Sequence, residues 1–431
     1  MFKSKSFLQG FAKEFLCVNR NVSSAAGKHG QTVPTVPVDP TNFKLQRALL
    51  VSKLSRYEFE QLRHPNLSAQ QLEARLRDRG TDFDTLMYLH NLHKDFERTI
   101  VRSFQNVGCE VKLANRVEFR SSLSKDIMRW ADVIVPIGGD GTFLLAAGRA
   151  SPLFAQSQQK TPIVGFNSDP QRSEGRLMLP KHYSENPADA VAKIKSGDFQ
   201  WMHRSRIRTT LLGNNGNIPE STDLYRHCVS KMEQEKTEPQ YLSKEMAKKY
   251  KAKMHRVLPY LALNEVFIGE SLSARVSHLQ LVVDHQNVVN KTKCSGLCVS
   301  TGTGSTSWHT SINRVSKKHM EDLFHILPDT AKQALSGIST EELVQKYNQN
   351  LLFPPDDPRI CYSIREQICV GVWPSPKDFE SRGFVKNLFV KSRCIDANLV
   401  IDGSISYPFN DGAKALLEIH PEDALLAISL D

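Results

Sequence analysis

The chain has 431 residues, more than one hydrophobic core ordinarily organises, so its length predicts two domains. Apolar residues make up 40% of the chain and charged residues 24%, as in an ordinary globular protein, and no stretch approaches the roughly 20 consecutive apolar residues that cross a bilayer. The formal net charge is +10, but no basic face is studded with aromatic side chains, so both a membrane span and nucleic-acid binding are excluded.

The eight cysteines are scattered through the chain. None forms a CxxC pair, and no histidines stand near them at the spacing of zinc ligands. We therefore predict reduced thiols, mostly buried, and no structural metal site.

Residues 1–38 are basic and poor in acids, with five basic residues against a single acid, Glu14. Apolar residues from Phe2 to Leu16 recur among these charges at helical spacing. A basic, amphipathic, serine-containing leader is typical of a mitochondrial transit peptide, so we predict that residues 1–40 are a transit peptide and linker and that the mature protein is in the mitochondrial matrix. An ordinary disordered basic tail is the alternative.

Strands and helices alternate in the next part of the chain, which predicts an α/β domain over residues 44–200. One helix begins at a capping box, Ser68 with Gln71. The run at 132–137 has the continuous apolar pattern of a strand buried on both faces, and the run at 162–167 repeats it. We therefore expect a parallel sheet flanked by helices. The other predicted elements are strands at 47–54 and 109–115 and helices at 68–80, 86–108 and 121–131.

Near residue 200 the pattern changes to short runs with period-two alternation and polar turns, which predicts a β-rich domain over residues 201–410. A polar segment at 213–256 has little apolar periodicity and is predicted as an inserted surface loop. Residues 316–350 are predicted as inserted helices. The tail at 411–431 has no assigned structure, and its return to the N-terminal domain is one alternative. The strand-like runs lie at 204–213, 260–270, 277–287, 296–302, 358–366, 384–394 and 397–409.

The sequence GGDGT at 138–142 stands between a buried strand and a helix. Gly138, Gly139 and Gly141 permit positive φ and let backbone amides approach a ligand, and a helix N-terminus adds partial positive charge, so this turn is predicted to hold a phosphate. Neither the P-loop pattern nor the GxGxxG pattern fits it. Asp140 at its centre could bind Mg²⁺ or accept a proton from an attacking hydroxyl; an aspartate that only caps the helix is the alternative.

A second glycine-containing turn, STGTGSTSW at 300–308, follows a predicted strand. Gly302 and Gly304 are surrounded by hydroxyl side chains, which together with backbone amides suit phosphates, ribose hydroxyls or an adenine edge. Trp308 adds a flat apolar surface. A plain hairpin loop is an equal alternative. The hydroxyl-bearing residues of this turn are Ser300, Thr301, Thr303, Ser305, Thr306 and Ser307.

Polar residues interrupt or end two further apolar strands. Asn264 and Glu265 lie inside a strand-like run, where burial of two adjacent polar side chains is unfavourable unless a partner satisfies them. Because neighbours on a strand point to opposite faces, at least one should meet a cavity or ligand; a strand end at solvent is the alternative. Asn167 ends a buried strand, and ligands of open α/β sheets gather beyond such ends, so Asn167 and Asp140 are predicted to share one crevice.

Together, GGDGT, the NE pair at 264–265 and STGTGSTSW resemble the motifs of the NAD kinase family, and GESLSAR at 269–275 is similar to its animal mitochondrial branch. The resemblance extends from about residue 46 to the C-terminus. It implies an α/β N-terminal domain and a β-rich C-terminal domain with the active site between them, and a homodimer. It also implies transfer of a phosphoryl group from ATP to the 2′-hydroxyl of the adenosine ribose of NAD. Magnesium would be carried by ATP and not held in a protein cage.

The resemblance also implies roles for individual residues. Asp140 would be the base that takes the 2′-hydroxyl proton, and Asn264 and Glu265 would bind the ribose and nicotinamide side of NAD. Asn167 would stand near the adenine and ribose pocket. The other residues expected to bind nucleotide are Gly138, Gly139, Gly141, Thr142, Thr301, Gly302, Thr303, Gly304, Ser305, Thr306, Ser307, Trp308 and Ser311, of which the last four would line that pocket.

The chain departs from the family pattern at three motif positions: Ser295 stands where many members have Asp, Gly302 replaces the usual Pro and Trp308 the usual Tyr. A lipid kinase with the same GGDGT turn is the nearest alternative, and it would need an exposed apolar entrance that the sequence does not show. An NAD-binding protein without catalytic activity is a second alternative, for which Ser295 offers some basis.

Overall fold

The computed structural model describes most of the chain from residue 39 onward. The predicted leader and most of the predicted insertion at 213–256 lie outside the described residues. Within the described part of the chain, no helix combines the length and apolar content of a transmembrane span. The described ranges are 39–116, 118–120, 124–154, 160–213, 218, 221–224, 240–241, 244, 252–284, 286, 288–328, 337, 339–368 and 379–430.

The described residues group into two compact units. The first, called here the α/β unit, comprises 39–203, 222–224 and 425–430. The second, called the β-rich unit, comprises 204–221 and 240–424. The predicted C-terminal tail is therefore divided between the two.

The α/β unit contains the strands β1 (Arg47–Ser52), β2 (Glu110–Asn115), β3 (Val133–Gly138), β4 (Phe166–Asn167), β5 (Gln200–Arg204), β7 (Thr222–Asp223) and β20 (Leu425–Ser429). Four of them form a parallel sheet in the order β2-β1-β3-β4, as predicted, and β5 pairs with β20. Every residue of β3 is buried, which the continuous apolar pattern predicts for a central parallel strand. The predicted strand at 162–167 is regular only over its last two residues, while Ile163 joins the sheet through isolated bridges.

The register of the parallel sheet places three carboxyl ends at one edge. Ser52 of β1 pairs with Ile137 of β3, and Gly138 pairs with Asn167 of β4. Residues that follow these three strands are therefore neighbours in space.

The helices of the α/β unit are α1 (Arg56–Arg63), α2 (Ala69–Asp78), α3 (Phe83–Asn106), α4 (Ser124–Trp130), α5 (Asp140–Phe154), α6 (Lys181–Glu185) and α7 (Pro187–Ser196). The predicted capping box at the start of α2 is confirmed, because Ser68 and Gln71 each bond the other's backbone N–H. The start of α3 was predicted three residues too late. The Asp82 side chain accepts a hydrogen bond from the Thr85 N–H at 3.1 Å and so begins the helix at Phe83.

The β-rich unit contains the strands β6 (Ile207–Gly213), β8 (Gln240–Tyr241), β9 (Met254–Val257), β10 (Glu265–Glu270), β11 (Ser277–Val283), β12 (Asn290–Cys294), β13 (Gly296–Ser300), β14 (Ile360–Arg365), β15 (Arg382–Val385), β16 (Asn387–Ser392), β17 (Ala397–Ile401), β18 (Ile405–Pro408) and β19 (Lys414–Ile419). One antiparallel sheet has the order β15-β14-β13-β10-β17-β18, and the other has β12-β11-β16-β19-β6-β9-β8. A single core cluster draws buried side chains from both sheets, such as Leu297 of β13 and Leu417 of β19. The helices of the β-rich unit are α8 (Trp308–Asn313), α9 (Lys317–Ile326) and α10 (Thr340–Gln349).

Two strand-like runs differ from their prediction. The run at 384–394 is two strands, because the Lys386 and Asn387 N–H groups donate to the Asp284 carboxylate and the chain passes there from one sheet to the other. The run at 260–270 is a strand only from Glu265 onward. Cysteines follow the prediction within the described residues, where Cys109, Cys294, Cys298, Cys361 and Cys394 are free and buried.

Candidate functional site

The GGDGT turn has the predicted strand–turn–helix geometry, and close packing requires the first of its glycines. β3 ends at Gly138 and α5 begins at Asp140. Gly138, Gly139 and Gly141 all lie outside the positive-φ region, so the turn does not use the positive φ that glycine permits. Position 138 requires glycine because there is no room for a side chain: a Cβ on Gly138 would lie 2.4 Å from the Thr142 Oγ1. The turn is thus closed by tight packing of the helix start onto the strand end.

The Asp140 carboxylate is held by the backbone of another loop. Its Oδ2 accepts a hydrogen bond from the Arg176 N–H at 3.1 Å, and its Oδ1 accepts one from the Leu177 N–H at 2.9 Å. These contacts differ from the alternative of an aspartate that caps its own helix. Two fixed amide donors orient the carboxylate and stabilise its charge, while the residue keeps partial exposure.

Asn167 folds the loop that holds Asp140. This side chain is buried, its Nδ2 donates to the Ser173 carbonyl oxygen and its Oδ1 accepts from the Asp169 N–H, both at 3.0 Å. Gly175 in the same loop has φ +61°, and a Cβ there would lie 2.4 Å from the Asn167 Nδ2. Asn167 therefore lies at the predicted sheet edge, but its amide is engaged within the protein, so a direct ligand contact by Asn167 stays a prediction.

The NE pair combines burial with unsatisfied polar atoms. Asn264 directly precedes β10 and is 7% exposed, which contradicts the alternative of a strand end at solvent. The Asn264 Oδ1 and the Glu265 Oε2 are buried and have no hydrogen-bond partner among the described residues. Burial, together with the negative charge of Asp402, raises the pKa of Glu265 to about 8. A buried polar atom without a partner costs about 1–3 kcal/mol, and a polar ligand is what would satisfy this pair.

Asp402, which the sequence analysis missed, holds the NE pair in place. Its carboxylate accepts hydrogen bonds from the N–H groups of Leu263 and Asn264, both at 2.8 Å, and of Glu265 at 3.1 Å. Burial raises the pKa of Asp402 to about 6 in spite of these amide donors. The residue adopts φ +45° in the turn between β17 and β18. The dipeptide Asp402-Gly403 is a signal for such a turn, but it does not indicate what the carboxylate contacts.

The second glycine motif is not the hairpin loop that was the alternative. After β13 the chain forms a 3-10 helix at Thr303–Thr306 and then α8. A Cβ on Gly304 would lie 2.0 Å from the Asn264 carbonyl oxygen, and one on Gly302 would lie 1.7 Å from the Pro354 carbonyl oxygen. Both glycines are therefore required because two backbone segments approach closely, and Gly304 packs the motif directly against the NE pair.

The hydroxyl groups of this motif fall into two sets. The inner set bonds backbone: the Thr301 Oγ1 donates to the Leu263 carbonyl oxygen at 2.5 Å, and the Ser305 Oγ to the Gly302 carbonyl oxygen at 2.6 Å. The outer residues are partly or fully exposed and accessible to a ligand; these are Thr306, Ser307, Trp308 and Ser311. The Trp308 ring is 45% exposed and contacts Phe267 edge-on at a centroid distance of 4.7 Å. Within this motif, the outer residues are thus the ones exposed for contact with a base or ribose.

Within the described ranges, no three His, Cys, Asp or Glu side chains converge as a group that could hold a metal ion.

Comparisons with known proteins find relatives of this chain by sequence. No protein-family model matches the chain. The chain is 38% identical over 395 residues to "NAD kinase 2, mitochondrial" of Homo sapiens, covering 90% of this chain and 85% of the relative. It is 36% identical over 411 residues to "NAD kinase 2, mitochondrial" of Xenopus tropicalis, covering 90% and 92%. A crystal structure of yeast NADH kinase complexed with NADH superimposes with a TM-score of 0.49 at 12% identity, covering 90% of this chain and 85% of that one.

Proposed function

The chain belongs to the NAD kinase family, and on that basis we propose that it transfers the γ-phosphoryl group of ATP to the 2′-hydroxyl of the adenosine ribose of NAD, which gives NADP and ADP. The observation that carries the proposal is 35–38% identity to four proteins named mitochondrial NAD kinase 2, extending over 90% of this chain. The GGDGT turn, the NE pair and the second glycine motif supply the chemistry that this reaction needs.

Asp140 is proposed as the general base. Its carboxylate takes the proton from the 2′-hydroxyl as that oxygen forms a bond to the γ-phosphorus, and the bond from the γ-phosphorus to the bridging oxygen of ADP breaks. The N–H groups of Arg176 and Leu177 keep the carboxylate in one orientation. Magnesium carried by ATP would neutralise part of the phosphate charge.

The NE pair is proposed to bind NAD. The Asn264 Oδ1 can accept a hydrogen bond from a hydroxyl or amide group of the ligand, since it has no partner among the described residues. Glu265, whose pKa is raised to about 8, is mainly protonated at neutral pH and can donate an O–H bond. Trp308, with Thr306, Ser307 and Ser311, is proposed to line the adenine and ribose pocket.

The test compares the full chain with its Asp140→Asn variant, using Mg-ATP and NAD as substrates. NADP is read out by a dehydrogenase that accepts only NADP. We expect turnover by the wild type and a loss of about 10²–10⁴-fold in the variant, because asparagine cannot take the proton. Asp78→Asn, at an exposed position of α2, is the matched control and should retain full turnover. Equal turnover of wild type and Asp140→Asn would exclude Asp140 as the base.

We further propose that residues 1–40 direct the protein into the mitochondrial matrix and that the mature enzyme is a homodimer. The leader composition and the mitochondrial names of the relatives support the location. N-terminal sequencing of the protein recovered from purified mitochondria should find a start near residue 40, and sedimentation should give twice the chain mass. An intact Met1 or a monomer would contradict the respective statement.

A further inference from the structure

Lys53 lies directly beside the GGDGT turn. It follows the last residue of β1, and its N–H donates to the Ile137 carbonyl oxygen at 3.0 Å, which continues the pairing of β1 with β3. A Cβ on Gly138 would lie 3.1 Å from the Cβ of Lys53. The lysine side chain therefore leaves the sheet on the face where Gly138 has no side chain of its own.

The end of β1 that carries Lys53 is anchored from α3. The His93 ring nitrogen Nε2 lies 3.1 Å from the Lys53 carbonyl oxygen and 3.1 Å from the Ser52 Oγ, which also contacts Glu97. Burial and the nearby Lys53 lower the pKa of His93 to about 4, so the ring is neutral and donates one proton only. These buried contacts fix where the Lys53 side chain begins.

The ammonium group of Lys53 forms no direct ion pair within the described part of the chain, and Asp169 acts on it only through a longer-range electrostatic interaction. The residue is half-buried, and among the described residues its Nζ takes part in no hydrogen bond or salt bridge. Burial lowers the pKa of Lys53, an effect that Asp169 opposes and Arg172 reinforces. The Asp169 carboxylate is already paired with Arg172 at 3.0 Å. A partly desolvated cation without a partner is unfavourable, and an anionic ligand would relieve that cost.

A second unpartnered group flanks the same turn. Ser168 is 5% exposed, and its Oγ has no hydrogen-bond partner in the described part of the chain. Its N–H donates to the Gly138 carbonyl oxygen at 2.9 Å, so Ser168 stands on the β4 side of Gly138 while Lys53 stands on the β1 side. The 15-residue helix α5 begins between them and directs its first N–H groups to this edge.

We propose that Lys53 and Ser168, together with the first turn of α5, form a binding site for a phosphate group of the bound nucleotide. The proposal rests on the proposed NAD kinase function. A cation, a hydroxyl donor and a helix N-terminus at one sheet edge are the groups that bind phosphate oxygens. The Asp140 carboxylate accepts hydrogen bonds from the N–H groups of Arg176 and Leu177, which offset part of its negative charge beside this site.

The test uses the full chain with Lys53→Met, Lys53→Arg and the exposed-lysine control Lys181→Met. The KM for ATP is measured at saturating NAD and the KM for NAD at saturating ATP, and the binding of ATP and of NAD is measured separately by calorimetry. Lys53→Met should raise one KM, and weaken binding of that nucleotide, by about 10–100-fold, the effect of one charged hydrogen bond. Lys53→Arg should stay within a few-fold of wild type, and Lys181→Met should equal it. The KM that rises identifies whether ATP or NAD supplies the phosphate.

The proposal would be overturned if both KM values were unchanged in Lys53→Met. It would also be overturned if Lys53→Arg and Lys53→Met raised the KM equally and both variants had a lowered melting temperature, because loss of folding would then explain the defect. Ser168→Ala gives an independent check, with an expected rise of several-fold in the same KM and unchanged unfolding. Failure of the wild type to form NADP would contradict the proposed function alone, since calorimetry with ATP and NAD still tests the lysine site.

Discussion

The two units differ in whether the polar side chains of the candidate site already have hydrogen-bond partners within the protein. In the α/β unit, the Asp140 carboxylate and the Asn167 amide form hydrogen bonds to backbone groups of the loop that follows β4. In the β-rich unit, the Asn264 Oδ1 and the Glu265 Oε2 are buried without partners among the described residues. Asp140 and Asn167 are therefore oriented before any ligand arrives, whereas Asn264 and Glu265 have hydrogen-bonding capacity left for a ligand.

The difference also shows how each unit handles a carboxylate. The Asp140 carboxylate accepts hydrogen bonds from two backbone N–H groups, those of Arg176 and Leu177. Burial and Asp402 raise the pKa of Glu265 to about 8, which keeps it mainly neutral. The proposed base and the proposed NAD-binding carboxyl group thus have different surroundings, and the following changes test that contrast.

The largest effect on stability is expected from Gly304→Ala. Its Cβ would lie 2.0 Å from the Asn264 backbone, which cannot move without displacing the NE pair, so the free energy of unfolding should fall by about 3 kcal/mol. Gly138→Ala should cost roughly half as much, because its nearest neighbour, the Thr142 hydroxyl, can rotate. Gly148→Ala in α5, with no atom within 4 Å, is the control and should be neutral or stabilising. Urea denaturation measures all three, and a Gly138→Ala defect larger than that of Gly304→Ala would refute the ranking.

A smaller effect is expected from Glu265→Gln, which should change how the free energy of unfolding depends on pH. The pKa of Glu265 in the folded protein is about 8 and lies above the ordinary 4.5. The stabilisation that the protonated Glu265 gives the folded protein is therefore fully present below pH 4.5 and is lost as the pH rises through 8. Between pH 6 and 8 the wild type should lose about 2 kcal/mol of unfolding free energy that Glu265→Gln does not lose. Denaturation curves at both pH values decide this. The exposed control Glu185→Gln should follow the wild type, and identical slopes for wild type and Glu265→Gln would contradict burial as the cause.

The smallest effect is expected from Asp402→Asn. Asparagine tolerates φ +45° but offers one acceptor oxygen instead of two, so at least one of the three N–H groups loses its partner. We expect a loss of about 1 kcal/mol in unfolding free energy and a rise of several-fold in the KM for NAD, with kcat nearly unchanged. Asp140→Asn should show the reverse, a large loss of kcat with a small change in stability. Asp411→Asn, at an exposed position, controls for the charge, and an unaltered KM in Asp402→Asn would show that it does not position the NE pair.

Much of the fold followed from local patterns. The apolar run of β3 and the capping box of α2 lie where the sequence predicts them, because strand burial and helix capping depend on neighbouring residues. Boundaries were less accurate where a single side chain decided them. Asp82 moved the start of α3, and the carboxylate of Asp284, about 100 residues away, divided one predicted strand into β15 and β16.

The sequence by itself determined the types of group at the candidate site: a carboxylate among glycines, an NE pair in an apolar run and a turn rich in hydroxyls. Tertiary structure alone decided which of them are free to meet a ligand. Asp402 reaches Asn264 across 138 positions of the chain, and Asp140 reaches Leu177 across 37. Lys53 carries no motif, and its place beside Gly138 follows from strand pairing. Hydrogen bonds between distant segments depend on how the sheets assemble, and residue type and local spacing do not contain that information.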